Sequence, residues 1–315
     1  MAVKKVMVTG GAGFIGSHIA EHFCSLPEDV EVVVLDNFRS GHQRNLKAYE
    51  TRGRLQFVEG SVTDRELVER TAAGCDYIFH LAAMISVPES LERPYECVEL
   101  NVNGTLSVLD AARKQGVKKV VLSSSAAIYG DDPTLPKLES MRPAPKTPYG
   151  ITKLDGEYYL EMYRQEYGVP TTSLRYFNVF GPRQDPKSQY AAAVPIFIHR
   201  AVRGDDITIF GDGKQTRDFV FVKDVVAANV LAASTPAMHG VYNVAGGETV
   251  TILQLAESIV AEVGSKSKII HGPERPGDIR DSWADTTRIR GQGFVPQTSL
   301  SKGVQATIEF FRVTA

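Results

Sequence analysis

The sequence is poor in cysteine, with Cys24, Cys75 and Cys97, and poor in tryptophan, with Trp283 alone. Three widely spaced thiols exclude a disulfide framework and any CxxC metal or redox pair. They read as free thiols of a reducing compartment. An excess of one charge is lacking too. Lys and Arg number 35 against 37 Asp and Glu, a net charge of −2, so no global basic field draws the chain to nucleic acid or anionic lipid. No apolar run reaches the roughly 18 residues of a membrane helix. The run after Lys4-Lys5 stops at Gly10, short of a secretory signal's apolar core. The expected protein is soluble and cytoplasmic, with neither nucleic acid nor membrane as partner. Short-period repeats and low-complexity segments are also missing.

What is there is an ordinary globular composition, 43% hydrophobic and 23% charged over 315 residues, enough for about two domains. In the first half, short apolar runs (Val6 to Val8, Val32 to Leu35, Leu55 to Val58, Tyr77 to Phe79, Val120 to Leu122) alternate with helix-period segments such as Glu99 to Lys114. Strands that run apolar without alternation are buried on both faces, and strand, helix, strand repeated this way predicts a doubly wound parallel sheet. After about Phe177 the chain becomes richer in Gly, Pro and charge, which predicts a smaller second domain. Phe219 to Ala233 reads as a strand and helix returning once to the large sheet.

Strand Val6 to Val8 runs into Thr9-Gly10-Gly11-Ala12-Gly13-Phe14-Ile15-Gly16 and then a helix, and Asp36 ends the next strand 20 residues past Gly16. Strand before, helix after and acid at that distance mark a dinucleotide site. Gly10, Gly13 and Gly16 let backbone approach a pyrophosphate at a helix N-terminus, and Asp36 accepts from an adenosine ribose and repels a 2′-phosphate. The cofactor expected is NAD. On the same helix His18-Ile19-Ala20-Glu21-His22 matches a zinc-peptidase pattern, but the glycine motif already claims that helix. The two histidines are expected to be packing or surface residues, with no metal.

A second constellation is Ser123-Ser124-Ser125 at a strand end, followed by Tyr149-Gly150-Ile151-Thr152-Lys153. Tyr149 and Lys153, four apart, share a helical face, so the ammonium is expected to favour the phenolate. Bringing a tyrosine from about 10 to near neutrality takes about 4 kcal/mol, which Lys153 and a positive nicotinamide ring would supply together. Ser125, at the carboxyl edge of the sheet, is placed to hydrogen-bond the same substrate hydroxyl.

Together with His80-Leu81-Ala82-Ala83, Asn101-Val102-Asn103-Gly104-Thr105, Arg175-Tyr176-Phe177-Asn178, Arg217-Asp218 and Arg275-Pro276-Gly277-Asp278, these motifs give the chain a resemblance over nearly its whole length. It resembles the extended short-chain dehydrogenases/reductases, specifically the nucleotide-sugar 4-epimerases. The resemblance implies an α/β fold, a Rossmann-type doubly wound parallel sheet with a smaller C-terminal α/β substrate domain. Residues 1–178 would form the NAD-binding domain, with 217–235 returning to it. Residues 179–216 and 236–315 would bind the nucleotide sugar.

By the same resemblance Phe14 and Ile15 line the pyrophosphate, Asp36 and Asn37 hold the adenosine, and Leu81, Ala82 and Ala83 flank the cofactor. Ser61 and Val62 meet the adenine, with Ser61 standing where the family usually has Asp. Tyr149 is implied as the base, Lys153 as the ribose anchor and Ser125 as their partner. Arg217 and Arg275 clamp the diphosphate of a UDP-sugar, each able to bind two oxygens at once. Asn178 helps them, Asp278 lies near the uridine, and Ser282 walls the pocket near C2 of the sugar. A homodimer through Glu99 to Lys114 and Tyr149 to Tyr167 is implied as well.

Dehydratases and decarboxylases of the superfamily typically carry Thr-Asp-Glu or Thr-Ser-Glu where this chain has Ser125-Ala126-Ala127. Eliminating water needs an acid and a base beyond the tyrosine, and alanine is neither. Epimerisation is therefore expected. The segment Tyr176 to Pro195, with Ala192 and Ala193 lining the substrate, looks closest to epimerases of UDP-N-acetylglucosamine and UDP-N-acetylgalactosamine. UDP-glucose/galactose and UDP-uronic acids stay open, and retention of Ser125, Tyr149 and Lys153 argues against a redox-sensing regulator on the same fold.

Overall fold

The apolar runs of the first half become the strands of one sheet. In chain order the elements are β1 (Lys5–Thr9), α1 (Phe14–Cys24), β2 (Glu31–Asp36), α2 (Lys47–Glu50), β3 (Leu55–Glu59), α3 (Arg65–Ala72), β4 (Tyr77–His80), α4 (Val87–Glu92), α5 (Pro94–Val98), α6 (Gly104–Gln115), β5 (Lys119–Ser125), α7 (Pro148–Tyr167) and β6 (Thr171–Tyr176). There follow β7 (Val179–Phe180), α8 (Ala193–Arg203), β8 (Ile207–Phe210), β9 (Thr216–Asp218), β10 (Val220–Phe221), α9 (Val222–Ser234), β11 (Gly240–Val244), β12 (Thr249–Thr251), α10 (Ile252–Val263), β13 (Ile269–Gly272), β14 (Asp281–Ser282), α11 (Thr287–Arg290) and α12 (Leu300–Thr314). The computed structural model describes residues 3–50, 53–186, 192–274 and 280–314.

Seven strands lie in the order β11-β6-β5-β4-β1-β2-β3, and neighbours from β6 to β3 pair in parallel. Val6, Met7, Val8, Val32, Val34, Ile78, Phe79, Val120 and Val121 are wholly buried. Helices on both faces exclude water, which is why these strands show no alternation. The strand order reverses between β1 and β4, and in such sheets ligands bind outside the carboxyl ends at that crevice. The ends of β1, β2, β4 and β5 carry the predicted cofactor and catalytic residues.

The chain divides into two compact units, one of Met1–Gly130, Arg142–Tyr176 and Val226–Tyr242, the other of Asp131–Met141, Phe177–Val225 and Asn243–Ala315. These bounds differ from the expected division into 1–178 with 217–235, and 179–216 with 236–315. The strand that joins the large sheet late in the chain is β11, within the segment assigned by sequence to the second domain, and not the run at Phe219. Val220 and Phe221 pair instead with Val179 and Phe180, and α9 carries the chain back. In the second unit β9 lies between antiparallel β12 and parallel β14, β8 pairs in parallel with β13, and α8 packs against α10 and α12.

The helix expected from Glu99 to Lys114 is not uniform. Glu99–Asn103 form a π-helical turn before α6 begins, and Asn101 there turns its side chain to Met84 and Thr152. Such turns occur often at functional sites. The three cysteines are buried and free. Among the described residues no helix is long and apolar enough to cross a membrane.

Candidate active site

The turn between β1 and α1 is shaped by close packing. Gly10 has φ +68, and a Cβ there would stand 2.7 Å from the Ala82 amide nitrogen. A Cβ on Gly16 would stand 2.3 Å from the Gly10 carbonyl oxygen. Helix α1 starts after Gly13 with no side-chain cap and no acidic residue in its first turn, which leaves its N–H groups and positive dipole end for an anion. Phe14 and Ile15 are half-buried at that start.

Asp36 faces the same turn. The Ala12 amide donates to its Oδ2 at 2.9 Å and the Phe38 amide to its Oδ1 at 2.8 Å. Burial raises the carboxyl's pKa, and these backbone donors oppose the rise. Phe38 reaches Asp36 from a left-handed backbone, φ 56, and its ring stacks on Phe57 at 4.8 Å. Asn37 is exposed, accepting the Arg39 amide at 3.2 Å. Ser61 shares a hydrogen bond with the Thr63 hydroxyl at 2.8 Å. Val62 belongs to the hydrophobic core. The amides of Leu81 and Ala82 donate to Thr9 Oγ1 at 3.2 and 3.3 Å, and Ala83 is half-buried beside them. The uncapped helix start, the glycine cradle and the buried Asp36 carboxylate fit NAD.

Helix α7 opens with Pro148 in its first turn, and Thr147 accepts the Gly150 amide at 3.2 Å, a side-chain N-cap. This start sets Tyr149 and Lys153 on one face toward β5. Lys153 Nζ donates to the Ser123 carbonyl at 2.9 Å and stands 5.8 Å from the centroid of the Tyr149 ring. Ser125 hydrogen-bonds the Tyr149 phenol. Its hydroxyl also accepts the Ala127 amide at 3.1 Å, capping the single turn Ala126–Tyr129.

Both groups of the pair sit in a desolvated setting. Burial pushes the phenol up, the Ser125 hydrogen bond opposing it, and burial pushes Lys153 down to about 8.

The contacts of other first-unit residues were not foreseen from sequence. His80 bridges Thr9 and Thr105, with Nδ1 2.7 Å from one hydroxyl and Nε2 3.0 Å from the other. Fully buried, it is held down to about 3 and stays neutral. Thr105 donates in turn to the Asn101 carbonyl. A polar residue closing an apolar strand was the signal in sequence, and it carried no indication of these partners. His18 packs edge-on to Phe14 at 6.0 Å and His22 to Phe23 at 5.2 Å. Among the described residues no cluster of His, Cys, Asp and Glu could hold a metal.

In the second unit Asn178 donates its amide to the Asp218 carbonyl at 2.9 Å. The Asp218 carboxylate accepts the amides of Gly246 and Gly247 at 2.8 and 3.1 Å, and burial pushes it up to about 6. Arg217, on β9, donates to the carbonyls of Thr216 and Arg280 at 2.9 and 3.0 Å. Ser282, on β14, is its register partner. Ala192 is the N-cap of α8 without a side-chain hydrogen bond, and Ala193 its first residue. Arg275 and Asp278 lie outside the described residues.

Residues 6–245 match the NAD dependent epimerase/dehydratase family. The chain belongs to that family. A curated relative, the UDP-glucose 4-epimerase of Mycolicibacterium smegmatis, is 40% identical over 311 residues, 98% of each chain. Among solved structures, the UDP-N-acetylglucosamine 4-epimerase of Methanobrevibacter ruminantium, in complex with UDP-N-acetylmuramic acid, is 38% identical with a TM-score of 0.95, all of both chains being covered. The UDP-glucose 4-epimerase of Thermotoga maritima with UDP-glucose is 40% identical with a TM-score of 0.92, over 98% of this chain and 99% of that one.

Proposed function

We propose that the protein catalyses reversible epimerisation at C4 of a UDP-sugar, with UDP-N-acetylglucosamine and UDP-N-acetylgalactosamine as its preferred pair. The observation that carries the reading is the group of half-buried Tyr149 and Ser125 with buried Lys153 at the carboxyl end of β5, in the same unit as the glycine turn and Asp36. Bound NAD supplies the hydride acceptor and donor for C4. Tyr149 takes the proton of the 4-hydroxyl and returns it, Ser125 holds that hydroxyl, and Lys153 anchors the nicotinamide ribose. Because epimerisation is redox-neutral overall, NAD held by the glycine turn and Asp36 would be retained between turnovers.

Ala126 and Ala127 form the turn that Ser125 caps. Neither supplies the second acid or base that dehydration needs, which favours epimerisation over the family's other chemistry. In this reading Arg217 and Arg275 hold the diphosphate with Asn178, Asp278 lies near the uridine, and Ala192, Ala193 and Ser282 border the sugar. The relative from Methanobrevibacter supports the N-acetyl sugar, and the one from Thermotoga supports UDP-glucose as the second reading. The enzyme is proposed to work as a homodimer, because Leu91, Tyr95, Val98, Ile151 and Tyr158 on α4, α5 and α7 stand exposed. Larger apolar patches commonly mark protein contacts.

The test incubates purified protein with UDP-N-acetylglucosamine and with UDP-glucose and follows the products by NMR. Inversion at C4 of the N-acetyl sugar is the expected result. Turnover of UDP-glucose alone overturns the substrate, and loss of water from the sugar overturns the reaction.

A further inference from the structure

The serines that end β5 are held by three different residues of α7, each one helical turn from the next. Ser125 meets Tyr149, the Ser123 carbonyl takes the Lys153 ammonium, and the Ser124 hydroxyl donates to Glu157 Oε1 at 2.6 Å. Residues four apart share a helix face, so Tyr149, Lys153 and Glu157 form one row laid along one strand end.

Glu157 is also bound by β6. Arg175 donates from Nε to Oε1 at 2.9 Å and from Nη2 to Oε2 at 2.7 Å, and its guanidinium lies over the Tyr129 ring at 4.8 Å. Ser124 and Arg175 are register partners across β5 and β6. One carboxylate therefore ties α7 to two adjacent strands. Ser124, Glu157, Arg175 and Tyr129 are all at least nine-tenths buried, so water does not compete for these bonds. A forked, charge-assisted pair fixes geometry more strictly than a single contact does.

We infer that Glu157, clamped by Arg175 and Ser124, is the positioning residue that sets how far α7 stands from the end of β5, and with it the reach of Lys153 and Tyr149. The inference rests on the reading of Tyr149 and Lys153 as the proton-handling pair. Glu157 touches neither substrate nor cofactor in it. It acts through the helix, one turn beyond the lysine, and Arg175 compensates its charge locally.

Because the clamp acts by distance, the decisive variant keeps the charge and shortens the reach. Glu157→Asp preserves the ion pair but draws the carboxylate back by one methylene. The other titratable groups acting on Tyr149 and Lys153 are the Cys97 thiol and the neutral His80, and neither changes. With NAD-loaded full-length protein, kcat for the UDP-sugar is expected to fall roughly 10- to 100-fold, since displacements near 1 Å cost that much. The UDP-sugar KM is expected to stay within about twofold, that subsite not being moved. The acid limb of the kcat profile should shift to higher pH, because a displaced ammonium stabilises the phenolate less well.

Wild-type kcat in folded Glu157→Asp overturns the inference, and so does a lower kcat with an unshifted profile, the mark of a merely structural role. If that variant fails to fold, Ser124→Ala is read instead. It removes one hydrogen bond and is expected to lower kcat roughly two- to tenfold with the same direction of shift, and wild-type behaviour there overturns the clamp. Tyr149→Phe is assayed alongside. An active Tyr149→Phe refutes the catalytic reading itself, whereas an inactive one beside a wild-type-like Glu157→Asp refutes the clamp alone.

Discussion

Lys153 donates to the Ser123 carbonyl at 2.9 Å while standing 5.8 Å from the Tyr149 ring centroid. The ammonium is thus tied to the strand, and its charge is held under strain: burial pushes it down to about 8 from 10.5. A folded-state pKa below the unfolded value means that the unfolded chain binds more protons between the two, so stability rises with pH across that window. Wild type should gain stability relative to Lys153→Met as pH rises from about 8 to 10.5, by at most about 1.4 kcal/mol per pH unit. Urea titrations of both proteins at pH 7.5, 9 and 10 measure the gap. A gap independent of pH contradicts the depressed lysine.

Tyr149→Phe removes one oxygen from a half-buried ring whose neighbours stay in place. Folding and NAD content should be nearly unchanged while turnover falls by at least the roughly 100- to 10,000-fold typical of a lost general base. Circular dichroism and the nucleotide released on denaturation verify the first point, and the NMR assay the second. Near-normal turnover by the loaded variant would assign the proton transfer to another residue.

His80 carries a pH dependence of the opposite kind. It stays neutral between Thr9 and Thr105 with its pKa held at about 3, against about 6.5 when unfolded. Its contribution is complete above about 6.5 and is lost as pH falls toward 3, with a slope of at most about 1.4 kcal/mol per unit. Denaturation midpoints should decline from pH 7 to 5. His80→Gln should be less stable at pH 7 and decline less steeply, and parallel declines in the two proteins would place the acid sensitivity elsewhere.

The first unit was legible because its central strands are buried on both faces and run apolar. The glycine turn, Asp36, and the Tyr149–Lys153 spacing are local patterns with one chain-level geometry. The second unit was legible only in its longer elements, since β7, β10 and β14 have two residues each and are defined by their partners rather than by any period. For the same reason the late strand of the large sheet was sought near Phe219 instead of at Gly240–Val244. Buried polar contacts such as Glu157 with Arg175 and His80 with Thr105 were unreadable. Each joins residues 18 or 25 positions apart whose types alone are commonplace on surfaces.

Asp36 should select the cofactor. Both its oxygens already accept a backbone amide, and a 2′-phosphate would bring further negative charge against a buried carboxylate. NAD, not NADP, should be released when the purified protein is denatured, and turnover should not need added NAD. Asp36→Asn should weaken NAD retention roughly 10- to 150-fold, the range for a hydrogen bond to a charged group, read as the rate of NAD loss on dilution. NADP in the wild-type extract would refute the assignment.

Ser282 and Arg217 are register partners on the parallel strands β14 and β9, so their side chains leave the same face of that small sheet. In the proposed reading Arg217 meets the diphosphate, which puts the residue beside it next to the sugar. Serine is small and half-buried there, and it leaves room for an N-acetyl group at C2. Replacing it with tyrosine adds a ring to that face, and overpacking a filled site costs typically 1 to 3 kcal/mol. The cost applies to UDP-N-acetylglucosamine and not to UDP-glucose, which has a hydroxyl at C2. Ser282→Tyr should therefore lower kcat/KM for the N-acetyl sugar roughly 5- to 150-fold relative to UDP-glucose. Both constants are measured for both sugars in both proteins. An equal loss for the two would show that position 282 does not sense C2, because a general distortion of β9 and β14 would disturb Arg217 and penalise every UDP-sugar alike.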